Sequence, residues 1–163
     1  MTTTLPAEGL SRADILAQME AARARDVRWH DGRVMSLVFH GGDELSDLLK
    51  TASNTFFSEN GLNPTAFPSL RRFETEVVAL TAGLLGGNAE TVGNMTSGGT
   101  ESILMAVKTA RDWARVHLPE RDPPEIVLPK SAHPAFDKAA HYFDVKLVHT
   151  PVDAGFRADV AAM

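Results

Sequence analysis

The sequence predicts an α/β fold with a mostly parallel sheet and flanking helices. The second half carries this: an aliphatic run, EIVLP (125–129), precedes a helical stretch from His133 to Phe143 and a second run, VKLVHTP (145–151). Strand, helix, strand in that order is the pattern of parallel strands joined by a helical crossover. EIVLP is continuously apolar rather than alternating, which predicts a strand covered on both faces.

The first half reads as helices. Ser11 is a candidate N-cap for a helix over 11–26, with Ile15, Leu16, Met19 and Ala22 on one face. Asp31-Gly32 in VRWHDGR marks a turn. A second helix starts at Asp43 and carries Leu45, Leu48 and Leu49 toward Phe56 and Phe57. ENGLNPTAFPS (59–69) is a proline- and glycine-punctuated loop, of a length that often serves function. Phe73, Val77, Leu80 and Leu84 then recur at helical spacing over 70–85, and Gly86-Gly87 ends that helix. The next helix opens at Ser97-Gly98-Gly99-Thr100 and runs to about Leu118. It is apolar nearly all round at 103–107, which predicts burial. After HTPVDAGFRADVAAM the chain reaches Met163 within what reads as an opening helix from Asp159, so a piece of a longer protein is expected.

Composition narrows the function classes. The 163 residues are 44% hydrophobic and 23% charged, with a formal net charge of −5, acids and bases interspersed. That profile is globular, and it disfavours nonspecific nucleic-acid binding, which needs a basic surface. With no cysteine there is neither a disulfide framework nor a thiolate metal site. No apolar run approaches the ~20 residues of a membrane span. The N-terminus, MTTTLPAEGLSR, lacks the basic-then-apolar order of a secretory signal. A cytoplasmic protein is the expectation.

TSGGTESILMAVKTARDWAR (96–115) is the stretch most suggestive of chemistry. The first amides of a helix lack intrahelical partners and carry the positive end of its dipole, so an anion is stabilised there. Gly98 and Gly99 permit close approach, and Ser97 and Thr100 add hydroxyl donors. Glu101, in the first turn, opposes an anion lying on the axis and favours one offset toward the loop. The same residues are equally consistent with a helix that merely caps itself. GxxxxGK[ST] and GxGxxG are both absent, which excludes the common nucleotide-binding turns.

His133 follows the first strand directly and falls at its carboxyl end, where open α/β sheets bind ligands. There an imidazole either stacks on a planar cofactor or caps the next helix. His141 and His149, eight apart, lack a metal-ligand frame, and no metal is expected. Lys130 and Lys138 read as solvated charges rather than Schiff-base formers.

Taken together, NPTAFPSLRRFETEVV (63–78), TSGGTESILMAVKTARDWA (96–114), PEIVLPKSAHPAFDKAAHYF (124–143) and VKLVHTPVDAGFRADVAAM (145–163) resemble the sphingosine-1-phosphate lyase family. That family lies in the group II decarboxylase branch of pyridoxal-phosphate enzymes, and the likeness is to its soluble prokaryotic form. TSGGTES alone is shared with amino-acid decarboxylases of the branch; joined to SAHPAFDKAAHYF it is more specific to the lyases. The resemblance implies a fold type I domain, with 1–58 an N-terminal helical segment and 59–163 the first part of the large cofactor domain. It implies that Ser97, Gly98, Gly99 and Thr100 hold the pyridoxal 5'-phosphate phosphate. It makes His133 the ring-stacking, catalytic histidine. Asn63 falls on a substrate-facing polar position, and Phe39 falls where relatives commonly carry a tyrosine. The implied reaction is cleavage of a phosphorylated sphingoid base to a long-chain aldehyde and phosphoethanolamine, by a homodimer. An amino-acid decarboxylase and a non-catalytic phosphate-binding module are the alternatives. The Schiff-base lysine, in a DTHK-like motif, and the aspartate that pairs with the pyridine nitrogen do not occur in these residues.

Overall fold

The computed structural model describes residues 7–163. They divide into two compact units, the first running to Glu59 and the second Asn60–Met163.

The first unit contains helix α1 (Arg12–Arg23), a 3-10 turn (Trp29–Asp31) and helix α2 (Asp43–Thr55). Ser11 caps α1 as its sequence predicts, its Oγ accepting the Asp14 amide at 3.1 Å. The 3-10 turn closes on Gly32, left-handed at φ 68°, whose amide donates to the Trp29 carbonyl. Gly42, at φ 100°, turns the chain into α2. A Cβ on Gly41 would lie 2.5 Å from Leu45 Cδ2, so the entry to this helix is tight as well as bent.

The second unit contains α3 (Pro68–Leu84), α4 (Gly99–His117), a 3-10 turn (Pro119–Arg121), β1 (Glu125–Pro129), α5 (Ala135–Phe143) and β2 (Lys146–Thr150). Pro68 occupies the first turn of α3, where its missing amide costs nothing. Gly86, at φ 74°, ends that helix. β1 and β2 pair in parallel, with Glu125 opposite Lys146 and Pro129 opposite Thr150. The fold is therefore α/β with a small parallel sheet, and α5 is the crossover. Three alanines on α5 (Ala135, Ala139 and Ala140) are buried together with Val107 of α4 and Leu128 of β1. Their small side chains let the helix lie close to its neighbours.

Arg111 ties the helices together. Its guanidinium donates to the Phe143 carbonyl at 3.1 Å and lies 5.3 Å from the centre of the Phe143 ring. A cation at the last carbonyls of α5 also meets the negative end of that helix's dipole. Arg115 bonds Asp122 at 2.9 Å and reaches Asp144 at 3.9 Å. The carboxyl ends of α4 and α5 thus share one end of the unit with the beginnings of both strands. The amino end of α5 follows directly from the carboxyl end of β1.

Two sequence expectations differ from the structure. EIVLP is not covered on both faces: Leu128 is buried, but Val127 is 38% exposed, because among the described residues only one layer of helices flanks the strand pair. Residues 151–158 form a turn closed by an isolated antiparallel bridge between Val152 and Ala158, and no helix is assigned after it. Asp159 does cap a single turn, its Oδ1 accepting the amides of Ala161 and Ala162 at 3.1 Å. Residues 159–163 thus form a capped turn rather than a helix. No helix of the described residues is long and apolar enough to cross a membrane.

Candidate functional site

The glycine-rich mouth is positioned by the segment before it. Residues 91–96 run alongside α3 because Gly93 has no side chain; a Cβ there would lie 3.0 Å from Val78 Cγ1. Thr96 is half-buried and anchors the approach, its hydroxyl 2.7 Å from that of Ser102 and 3.2 Å from the Gly98 carbonyl. A cavity of about 360 Å³ between this segment and α3 has Thr96 and Ser102 in its wall but none of residues 97–100. The mouth itself is open to solvent.

Glu101 decides which donors remain at the mouth. Its Oε2 accepts both the amide and the hydroxyl of Ser97, each at 2.6 Å. Ser97 is therefore engaged within the junction without capping α4: Gly98 is the N-cap residue and no side chain caps the helix there. The amides of Gly98, Gly99 and Thr100 have no such partner among the described residues, nor has the Thr100 hydroxyl. A Cβ on Gly98 or Gly99 would meet nothing within 4 Å. The residues present thus fit a phosphate: unpaired donors with clear space before them, and the competing carboxylate drawn aside onto Ser97.

The two Ser97 bonds hold the Glu101 carboxyl below its usual value of 4.5. A depressed carboxyl contributes stability that is complete above the unfolded value and is lost as pH falls through the lower, folded one. The junction should therefore hold at neutral pH and loosen only in acid below that value. Glu101→Gln should lower the protection of the Ser97 amide against hydrogen exchange at pH 7, because a neutral carboxamide accepts more weakly than a carboxylate. An unchanged exchange rate in the variant would show that Glu101 does not order the junction.

His133 lies between β1 and α5. Its Nδ1 accepts the Ala135 amide at 3.1 Å, and its carbonyl accepts the Phe136 amide at 3.0 Å. It caps α5, with the ring proton on Nε2. The ring is exposed, so Nε2 and a ring face stay available. The capping alternative is realised and leaves the stacking one open. α4 and α5 meet through the Arg111–Phe143 contact, and His133 precedes the amino end of α5 as the glycine mouth precedes that of α4.

Asn63 has a local role. Its Oδ1 accepts from the Thr65 amide at 3.0 Å, the Thr65 hydroxyl at 2.6 Å and the Ala66 amide at 3.3 Å, which folds the loop ahead of α3. Only its amide nitrogen is left to face a ligand. Phe39 belongs to the other unit, 86% exposed. Sequence reasoning missed Arg111, whose place on the α4 stripe gives no sign that it reaches the end of another helix. It also missed the bonding of Glu101 back to Ser97, though serine four residues before a glutamate was the available signal.

No family model matches the chain. It is 45% identical over 160 residues to the sphingosine-1-phosphate lyase 1 of Rattus norvegicus, covering 98% of this chain and 28% of that protein. The solved structure of a Burkholderia pseudomallei sphingosine-1-phosphate lyase superposes with a TM-score of 0.81 at 33% identity, over 94% of this chain and 37% of that one. The chain is similar to sphingosine-1-phosphate lyases in sequence and in fold. It spans less than a third of the length of the rat lyase. An L-tyrosine/L-aspartate decarboxylase of Methanocaldococcus jannaschii is more distant, 28% identical over 93% of this chain and 38% of that protein. The likeness to the lyases is thus spread over both units rather than confined to the glycine mouth.

Proposed function

We propose that the chain is the N-terminal part of a pyridoxal-phosphate-dependent carbon–carbon lyase acting on sphingosine-1-phosphate-like phosphorylated amino alcohols. The observation that carries this is the extent of the likeness to lyases: 45% identity across 98% of the chain, against 28% for a decarboxylase. The first unit is read as the N-terminal segment of the enzyme and the second as the opening part of its cofactor domain. When bound, the cofactor supplies an electron sink for bonds at the carbon bearing the substrate nitrogen.

The chain's own residues hold and orient. The amides of Gly98, Gly99 and Thr100, with the Thr100 hydroxyl, take the coenzyme's phosphate. Glu101 keeps Ser97 turned inward so that the junction is set before the phosphate arrives. His133, fixed by its bond to the Ala135 amide at 3.1 Å, offers a ring face to the coenzyme's plane and so helps align the breaking bond. The Asn63 amide nitrogen and Phe39 face the substrate. Phenylalanine at 39 supplies no hydroxyl to a phosphate, so this position bears most on which substrate is taken. Turnover belongs to the complete protein, read as a cytoplasmic homodimer, in which a lysine carries the coenzyme.

The test supplies the complete protein with a phosphorylated sphingoid base and, separately, with aromatic and acidic amino acids. Aldehyde from the first and no carbon dioxide from the second is expected. Carbon dioxide without aldehyde would make the protein a decarboxylase. Neither product, with no coenzyme absorbance, would leave a phosphate-binding module.

A further inference from the structure

In the first unit we propose a divalent transition-metal site formed by His30, His40 and Asp43. One ligand atom from each lies within 4.8 Å of the other two. His40 Nε2 is 3.8 Å from Asp43 Oδ1. Tetrahedral coordination at about 2.0–2.1 Å sets ligand atoms roughly 3.3–3.5 Å apart. Closure therefore asks for movements of about an ångström, within the rotamer freedom of Asp43, whose side chain is 88% exposed.

The three residues come together for backbone reasons. His30 sits in the 3-10 turn closed by Gly32, and Gly41-Gly42 folds His40 back beside Asp43, the first residue of α2. Trp29 holds the imidazoles before any ion arrives. It stacks on His30 with ring centres 3.5 Å apart and meets His40 at 5.3 Å, while the two imidazoles lie 5.2 Å apart and nearly perpendicular. Rings held in place lose less freedom on binding, which favours affinity. Two imidazoles and one carboxylate match zinc-class ions rather than magnesium or calcium, and three protein ligands leave a fourth position for water or an oxygen ligand. A bound ion would staple the 3-10 turn to the start of α2. The ten-residue separation of His30 and His40 hides this in the sequence, where no metal was expected.

The experiment is calorimetric titration of the complete, metal-stripped protein with Zn²⁺, beside His30→Ala, His40→Ala, the double variant, Asp43→Asn and a His141→Ala control. The parent should bind one more equivalent than the double variant. Each single histidine variant should bind that ion on the order of a hundred-fold more weakly, since losing even an outer-shell partner costs about 10–100-fold. Asp43→Asn should weaken it about tenfold, and His141→Ala should not. Co²⁺ should give a visible absorption band in the parent that the double variant lacks. All three ligands are exposed, so these variants leave the fold unchanged by circular dichroism. Equal stoichiometry in the parent and the double variant would overturn the proposal, as would an Asp43→Asn affinity equal to the parent's.

Discussion

Replacing Gly99 by valine in the complete protein should weaken binding of pyridoxal phosphate by on the order of a hundred-fold while leaving the fold intact. The position separates the two effects. A Cβ on Gly99 meets nothing within 4 Å, so the new side chain starts in open space. It does enter the space before the unpaired amides of Gly98 and Thr100. A hydrogen bond to a charged group contributes about 1.5–3 kcal/mol. Blocking one or two of them costs roughly ten- to ten-thousand-fold at about 1.4 kcal/mol per decade. Coenzyme titration of the stripped protein, followed by absorbance, measures the change. Pyridoxal without its phosphate serves as control and should bind parent and variant alike. Equal phosphate-ester affinity in the two proteins would move the phosphate seat away from this helix. Failure of the parent itself to bind the coenzyme would remove the cofactor altogether, a distinct outcome.

The elements of this chain were legible because each is set by local rules. Ser11 and Pro68 start helices, Gly86 ends one, and the aliphatic runs at 125–129 and 145–151 form the parallel pair. Burial was not legible in the same way. The stripe at 103–107 predicts a covered helix, yet only Val107 is buried and Met105 is 43% exposed. Apolar periodicity says which face seeks a partner; the partner is supplied by tertiary structure. The same holds for α3, where Leu80 and Leu84 are 70% and 88% exposed.

The site was legible as positions and not as bonding. Glycines before a helix mark an open mouth, but whether Ser97 faces a ligand or Glu101 depends on a side-chain choice that spacing leaves free. The two 2.6 Å bonds resolve it toward Glu101. That rearranges the expected donor set: the backbone amides and Thr100 are left for the proposed anion, and Ser97 braces the loop. Asn63 changes in the same way, because an asparagine followed by proline, threonine and alanine can satisfy its own turn.

His133 combines a capping bond with a proposed ring contact, and two substitutions pull these apart. His133→Ala removes both. Loss of a helix cap costs about 1 kcal/mol, and the complete enzyme should also lose at least about a hundred-fold in kcat, because the coenzyme's plane is no longer held. His133→Asn restores an acceptor for the Ala135 amide, now made by Nδ1 at 3.1 Å, but has no ring. Its denaturation midpoint should therefore return to the parent's, while kcat stays as low as in the alanine variant. The visible spectrum of the bound coenzyme, which responds to a ring lying against it, should shift in both variants. If His133→Asn recovers kcat along with stability, the histidine serves only as a cap, and the alignment of substrate must be assigned to other groups.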